Sequence, residues 1–361
     1  MPEYSPIPMD DCRTLLKPPT LDPSKPLIDN HLELRPLTND GPDIFTNTRP
    51  LWHPPGARGI FGGITIAQCL GAAQLTVPTN FAIHSMHCNF IFAGTADIPI
   101  TYHVERVRDG NSFATRTVRA MQSRRPIFTS TLSFARLGSY GKTLIEHAET
   151  MPPEVPVPED DPGDRPKGDT SEGPYIIKRV GIVNITSPNP HTKCTHHWVK
   201  ACGKISPSGG HQAHLTALAY MSDSYFIGVV PRVHNIWRFA RPPLTELTTT
   251  AGANLLSASK VHSEITLPET DESSTSQVES PEVGMMVSLD HTIYFHNPLK
   301  IKADEWMLTE LKSHWAGNGR GLAYQKIWAK DGTLIASCIQ EGVIRLTQDD
   351  IDIEMESRSK L

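Results

Sequence analysis

The chain has 361 residues, 38% hydrophobic and 20% charged, with a formal net charge of -5 at pH 7. That length exceeds what one hydrophobic core usually fills, so two domains are expected. The charge offers no broad attraction to nucleic acid or anionic lipid, and no run is long and apolar enough to be a membrane span. Six scattered cysteines, Cys12, Cys69, Cys88, Cys194, Cys202 and Cys338, lack close metal-ligand spacing and read as reduced thiols of an intracellular protein.

Residues 1 to about 50 form a proline-rich arm with one short strand expected over 31–37. The segment ITIAQCLGAAQL, residues 64–75, follows Gly59, Gly62 and Gly63 and is apolar almost all round. A helix of that kind belongs inside a domain, wrapped by something. Strands are predicted at 84–92, 98–108, 112–121 and 127–134, with hairpin turns at Arg108-Asp109-Gly110-Asn111 and at 122–126. Four strands after a buried helix predict a sheet curled around it.

Residues 152–174 are proline-rich and acidic and read as a linker. A strand is expected in KCTHHWVKACG, and a second apolar helix at HQAHLTALAYM, residues 211–221. Residues 257–281 form a polar insertion. Strands return at 287–295, 306–313, 320–329 and 334–346, with a hairpin at Lys330-Asp331-Gly332-Thr333. The domain division is therefore 1–151 (arm and first domain), 152–174 (linker), 175–346 (second domain) and 347–361 (tail).

The same plan thus occurs twice. Met86-His87 corresponds to Asp290-His291, and Ile127-Phe128-Thr129-Ser130 corresponds to Leu334-Ile335-Ala336-Ser337. On this alignment Met86 stands at the place of Asp290, and Ser133 at the place of Gln340.

The blocks FGGITIAQCLGAA, HSMHCNFIFAG, VERVRDGNSFATRTVRAMQSRRPIFTSTLSF, LDHTIYFHNP and DGTLIASCIQEGVIR occur in one order across residues 61–345. In these blocks the chain resembles the type II, TesB-like acyl-coenzyme A thioesterase family. The resemblance implies an α+β double hotdog, two curved antiparallel sheets each wrapped around a central helix. It also implies hydrolysis of fatty acyl-CoA to fatty acid and coenzyme A without a cofactor, and a homo-oligomer. The family's aspartate falls on Asp290 and its glutamine on Gln340. The hydroxyl position falls on His314, with Ser313 beside it, so either His314 replaces the hydroxyl or Ser313 supplies it.

Thioester hydrolysis needs an aligned water, a base for its proton and donors for the developing oxyanion. Asp290 suits the base and Gln340 a water-holding amide. Gly62 and Gly63 let a thioester approach a helix N-terminus, the expected source of oxyanion donors. The first copy has no equal set, so the second copy is read as the chemical half.

The pairs His196-His197, His211/His214 and His291/His296 show no acidic or cysteine partner in sequence, and no metal is expected. Arg108, Arg116, Arg124 and Arg125 are candidates for CoA phosphates. Ser359-Lys360-Leu361 reads as the address recognised by the peroxisomal import receptor, which places the protein in the peroxisome. Two rival readings are a hotdog enzyme acting on a specialised or polyketide-like thioester, and a non-catalytic acyl-CoA-binding protein.

Overall fold

A computed structural model describes residues 21–52, 54, 57–153, 155–159, 173–236 and 281–347. The C-terminal Ser359-Lys360-Leu361, the insertion at 257–280 and most of the predicted linker lie outside the described residues. The first half holds α1 (Leu27–Leu32), β1 (Leu34–Pro36), β2 (Ile44–Asn47), α2 (Gly62–Gln74), β3 (Phe81–Phe90), β4 (Thr101–Asp109), β5 (Phe113–Gln122) and β6 (Arg125–Arg136). The second holds β7 (Tyr175–Val183), β8 (Cys194–Ala201), α3 (Gly210–Met221), α4 (Val229–Val233), β9 (Val283–Ser288), β10 (Asp290–Phe295), β11 (Met307–Gly317), β12 (Arg320–Ala329) and β13 (Leu334–Leu346).

The strands run in the order β1-β2-β4-β5-β6-β3 and then β10-β13-β12-β11-β8-β7, with β9 beside β13. The halves join where β3 pairs antiparallel with β10, from Asp290↔Asn89 to Tyr294↔Ser85. The result is the expected α+β double hotdog, two half-sheets each closing on one long helix. Sequence dictates this because α2 has no polar stripe. Ile64, Ile66, Ala67, Leu70, Ala72 and Ala73 point in all directions and are all buried, so this helix is stable only when covered on every side.

The two long helices pack on each other in antiparallel fashion: Gly63 abuts Tyr220 and Gly71 abuts Thr216. A methyl group on Gly63 would stand 2.3 Å from the Tyr220 carbonyl oxygen, so only glycine permits this approach. The N-terminus of α2 therefore meets the C-terminus of α3.

The hairpins fall where expected. Between β5 and β6, Ser123 and Arg124 both adopt positive φ (47° and 62°), the pattern of a two-residue type I′ turn. Two element expectations change. The strand predicted over 31–37 is α1 followed by the short β1, because Asn30 turns inward and its amide holds the carbonyls of Asp22, Lys25 and Pro26. The strand predicted over 287–295 is two strands. The chain steps across at Leu289, whose N–H donates to Glu341 and whose carbonyl accepts from Phe90.

The internal alignment is one residue out of phase. His87 is exposed whereas His291 is fully buried, and Met86 is fully buried whereas Asp290 is half-buried. Side chains alternate along a strand, so a slip of one residue exchanges the faces. Gln340 points inward and is fully buried, whereas Ser133 is half-buried and bonds His84 across the strands (2.8 Å). The inward residues of the first half at this level are Met86, Cys88, Leu132 and Phe134, all apolar.

Candidate active site

Asp223 emerges two residues after α3 ends and reaches the first turn of α2. Its carboxylate accepts the Gly63 N–H, and Oδ2 lies so near Gly62 that a Cβ there would stand 2.7 Å from it. A helix N-terminus favours an anion, but the low-dielectric surroundings oppose one. Burial wins: it pushes the Asp223 carboxyl up to about 6, against the lowering effects of Gln340 and the Gly63 N–H. Only 9% of the side-chain surface remains open, a narrow access.

Gln340, in the interior of β13, donates from Nε2 to Asp223 Oδ1 at 2.8 Å. The same nitrogen lies 3.2 Å from His291 Nδ1, and His291 Nε2 lies 3.0 Å from Ser222 Oγ. Ser222 Oγ spends its single proton on the Ala219 carbonyl at 2.9 Å. It must therefore accept from His291 Nε2–H, which leaves Nδ1 as the acceptor for Gln340. Burial holds the His291 pKa down to about 3, so the ring is neutral, and its 3.9 Å separation from Asp223 is not an ion pair. One directional chain therefore runs from Asp223 through Gln340, His291 and Ser222 to the α3 backbone.

This chain fixes which way the Gln340 amide faces. Both Nε2 protons are used, and Oε1 is left buried with no partner among the described residues. Reversing the amide would press Oε1 against the Asp223 carboxylate. A buried acceptor beside a carboxylate with a raised pKa is what a bound water needs: one group to take a hydrogen bond, another to take its proton.

The residues singled out in the sequence separate. Gln340 lies at the centre of this network, but the carboxylate that meets it is Asp223, not Asp290. The Asp290 carboxylate accepts the Glu341 N–H at 2.7 Å, a cap at the start of its strand. Ser313 shares the inward face with Gln340, but the pairings Ser313↔Ala323↔Gln340 put one whole strand between them, roughly 10 Å. Its hydroxyl donates to the Trp315 carbonyl, at the bulge in β11. His314 is exposed on the opposite side and stacks on Tyr324. Asp223 is not marked by any local motif, because it follows a helix and lies 117 residues from Gln340. The available signal was an acidic residue ending an otherwise apolar helix, in YMSDSYF.

Two secondary expectations also change. Arg116 cannot meet a phosphate, since it is fully buried, held by Thr76, by the carbonyls of Arg108 and Thr115, and by Asp109. His196, read as lacking partners, has both Glu310 and Cys194 beside it.

Family models for the acyl-CoA thioesterase N-terminal domain and C-terminal domain match residues 49–135 and 151–344 respectively. The fold and the matched domains define a double-hotdog protein, and the chain belongs to the acyl-CoA thioesterase family. Acyl-coenzyme A thioesterase 8 of Mus musculus is 32% identical over 340 residues, covering 89% of both chains. Acyl-CoA thioesterase 2 of Haemophilus influenzae is 30% identical, covering 81% of this chain and 90% of its own. Among solved structures, the acyl-CoA thioesterase II TesB2 of Mycobacterium marinum superposes with a TM-score of 0.60 at 26% identity, covering 89% of this chain and 98% of the other.

A carboxyl whose folded pKa exceeds its unfolded value costs stability once it ionises. For Asp223 the penalty is absent well below pH 4, grows as pH rises through the window from 3.8 to about 6, and is complete above it. Asp223→Asn is therefore expected to stabilise the fold relative to wild type by roughly 2–3 kcal/mol at pH 7.5 and by little at pH 4. Urea denaturation at both pH values measures this; an equal difference at the two would contradict a buried, strained carboxylate.

Proposed function

We propose that the chain hydrolyses acyl-CoA thioesters to a free carboxylic acid and coenzyme A, with Asp223 and Gln340 holding and activating the attacking water. The observation that carries this reading is the buried Asp223 carboxylate bonded to Gln340, with the Gln340 carbonyl oxygen unpaired among the described residues.

Ionised Asp223 accepts one water proton while Gln340 Oε1 accepts the other, which aims the oxygen lone pair at the thioester carbonyl carbon. As the C–O bond forms, the proton passes to Asp223 and negative charge gathers on the carbonyl oxygen. The first turn of α2 is the nearest source of backbone N–H groups and positive dipole for that oxyanion. Gly62 and Gly63 present no side chain to obstruct it. Collapse of the tetrahedral intermediate breaks the C–S bond, and protonated Asp223 returns its proton to the departing sulfur. Neutral His291, supported by Ser222, positions the Gln340 amide and does not touch the water.

We also infer a peroxisomal location. It is supported by the terminal Ser359-Lys360-Leu361 and by likeness to the protein named peroxisomal acyl-coenzyme A thioester hydrolase 1 of Saccharomyces cerevisiae, 26% identical over 87% of this chain. A fluorescent fusion at the N-terminus should collect in peroxisomes and become diffuse when the last three residues are removed. A distribution unchanged by the deletion would sink that reading.

Release of coenzyme A from short-, medium-, long- and branched-chain substrates tests the activity itself. Wild type should turn over, with kcat rising as pH passes through about 6, where Asp223 ionises. Asp223→Asn and Gln340→Ala should each lower kcat at least ~100-fold, whereas Asp290→Asn and His314→Ala should stay within about twofold of wild type. Loss of activity in Asp290→Asn with retention in Asp223→Asn would reverse the assignment. Binding without turnover on any acyl-CoA would make this a carrier rather than an enzyme.

A further inference from the structure

A second group of chemically capable side chains sits on the opposite face of the second half-sheet. Along β8, His197 faces the helices, where it stacks on Tyr225, and Cys194, His196 and Trp198 face outward. The cross-strand pairings continue that outer face onto β11, with Trp198↔Leu308, His196↔Glu310 and Cys194↔Lys312. Trp198, Trp306, Leu308, Trp328 and Val155 form a small apolar layer there, separate from the main core. Cys194, His196 and Glu310 lie at its end and are 6%, 6% and 7% exposed.

Their ligand atoms converge. Cys194 Sγ lies 3.9 Å from His196 Nε2 and 4.0 Å from Glu310 Oε2, and the last two atoms are 3.0 Å apart. A triangle with those three sides has a centre about 2.1 Å from every corner, against bond lengths of about 2.3 Å for zinc–sulfur and about 2.0–2.2 Å for zinc–nitrogen and zinc–oxygen. Two ligands two residues apart on one strand face, with a third from the paired strand, hold this arrangement without any loop.

We propose that Cys194, His196 and Glu310 form a zinc site on the outer face of the second half-sheet. Zinc takes the place of the proton between His196 Nε2 and Glu310 and of the thiol proton, so two protons leave as one divalent ion enters, and the buried charge is conserved. Lys312 donates to the other carboxylate oxygen, Glu310 Oε1, at 2.8 Å, which leaves Oε2 turned toward the ion. A soft thiolate, an imidazole and one carboxylate select zinc over magnesium or calcium, which prefer oxygen shells. Three protein ligands leave a fourth position for water, and the ion ties β8 to β11 on the sheet face turned away from the helices.

The full-length chain, reduced, stripped with chelator and dialysed against zinc, should retain about one zinc per chain by mass spectrometry of the metal. With cobalt(II) in its place, a sulfur-to-cobalt charge-transfer band should appear. Cys194→Ser and Glu310→Gln should each drop retained zinc close to zero, and Cys194→Ser should abolish the cobalt band. Retained acyl-CoA hydrolysis or an unchanged circular dichroism spectrum confirms that these variants fold. The cobalt experiment on wild type needs no variant: a folded chain without the band, or a band that survives in Cys194→Ser, overturns the proposal and leaves a plain ion pair.

Discussion

Everything at the candidate site depends on one carboxylate held between two helix ends. Asp223 leaves the C-terminus of α3 and meets the N-terminus of α2, where the Gly63 N–H donates to its carboxylate. The antiparallel pairing of two apolar helices creates that meeting point, and the absence of a side chain at Gly62 and Gly63 keeps it open. The location is electrostatically divided: a helix N-terminus and a Gln340 donor favour the anion, and loss of water opposes it. Opposition prevails, so the group is poised near 6 instead of near 4, where it can take a proton and return it within one reaction.

The division into a chemical half and a structural half therefore gives way to a site at the seam. Asp223, His291 and Gln340 come from the second half, and Gly62 and Gly63 from the first. The inward positions of the first half, Met86, Cys88, Leu132 and Phe134, carry no polar group to build a second such network. Those apolar positions leave one network in a two-fold plan, and the two halves join where β3 pairs with β10.

Much of the fold was legible in the sequence, because apolar helices and alternating strands separated by Gly-rich turns are local signals. The buried α2 and the turns at 122–126 and 330–333 are of that kind. The motif around Gln340 marks it as a candidate, and the structure bonds it to Asp223. Asp290 lies off the inward face because adjacent residues on a strand face opposite ways, and the histidine match at 87 and 291 aligns an exposed residue with a buried one. His314 faces away from Gln340, and Ser313 lies one whole strand from it. Asp223 and Glu310 become partners only through pairings more than a hundred residues long, which no local pattern records.

Asp223 is a buried carboxyl whose pKa is raised by desolvation and partly restored by Gln340. Titration of its carboxyl carbon by ¹³C nuclear magnetic resonance in the substrate-free protein tests this directly. The midpoint should lie at about 6 in wild type and higher in Gln340→Ala, where a donor to the anion is lost. A midpoint near 4, or one unmoved by removal of the Gln340 amide, would contradict it.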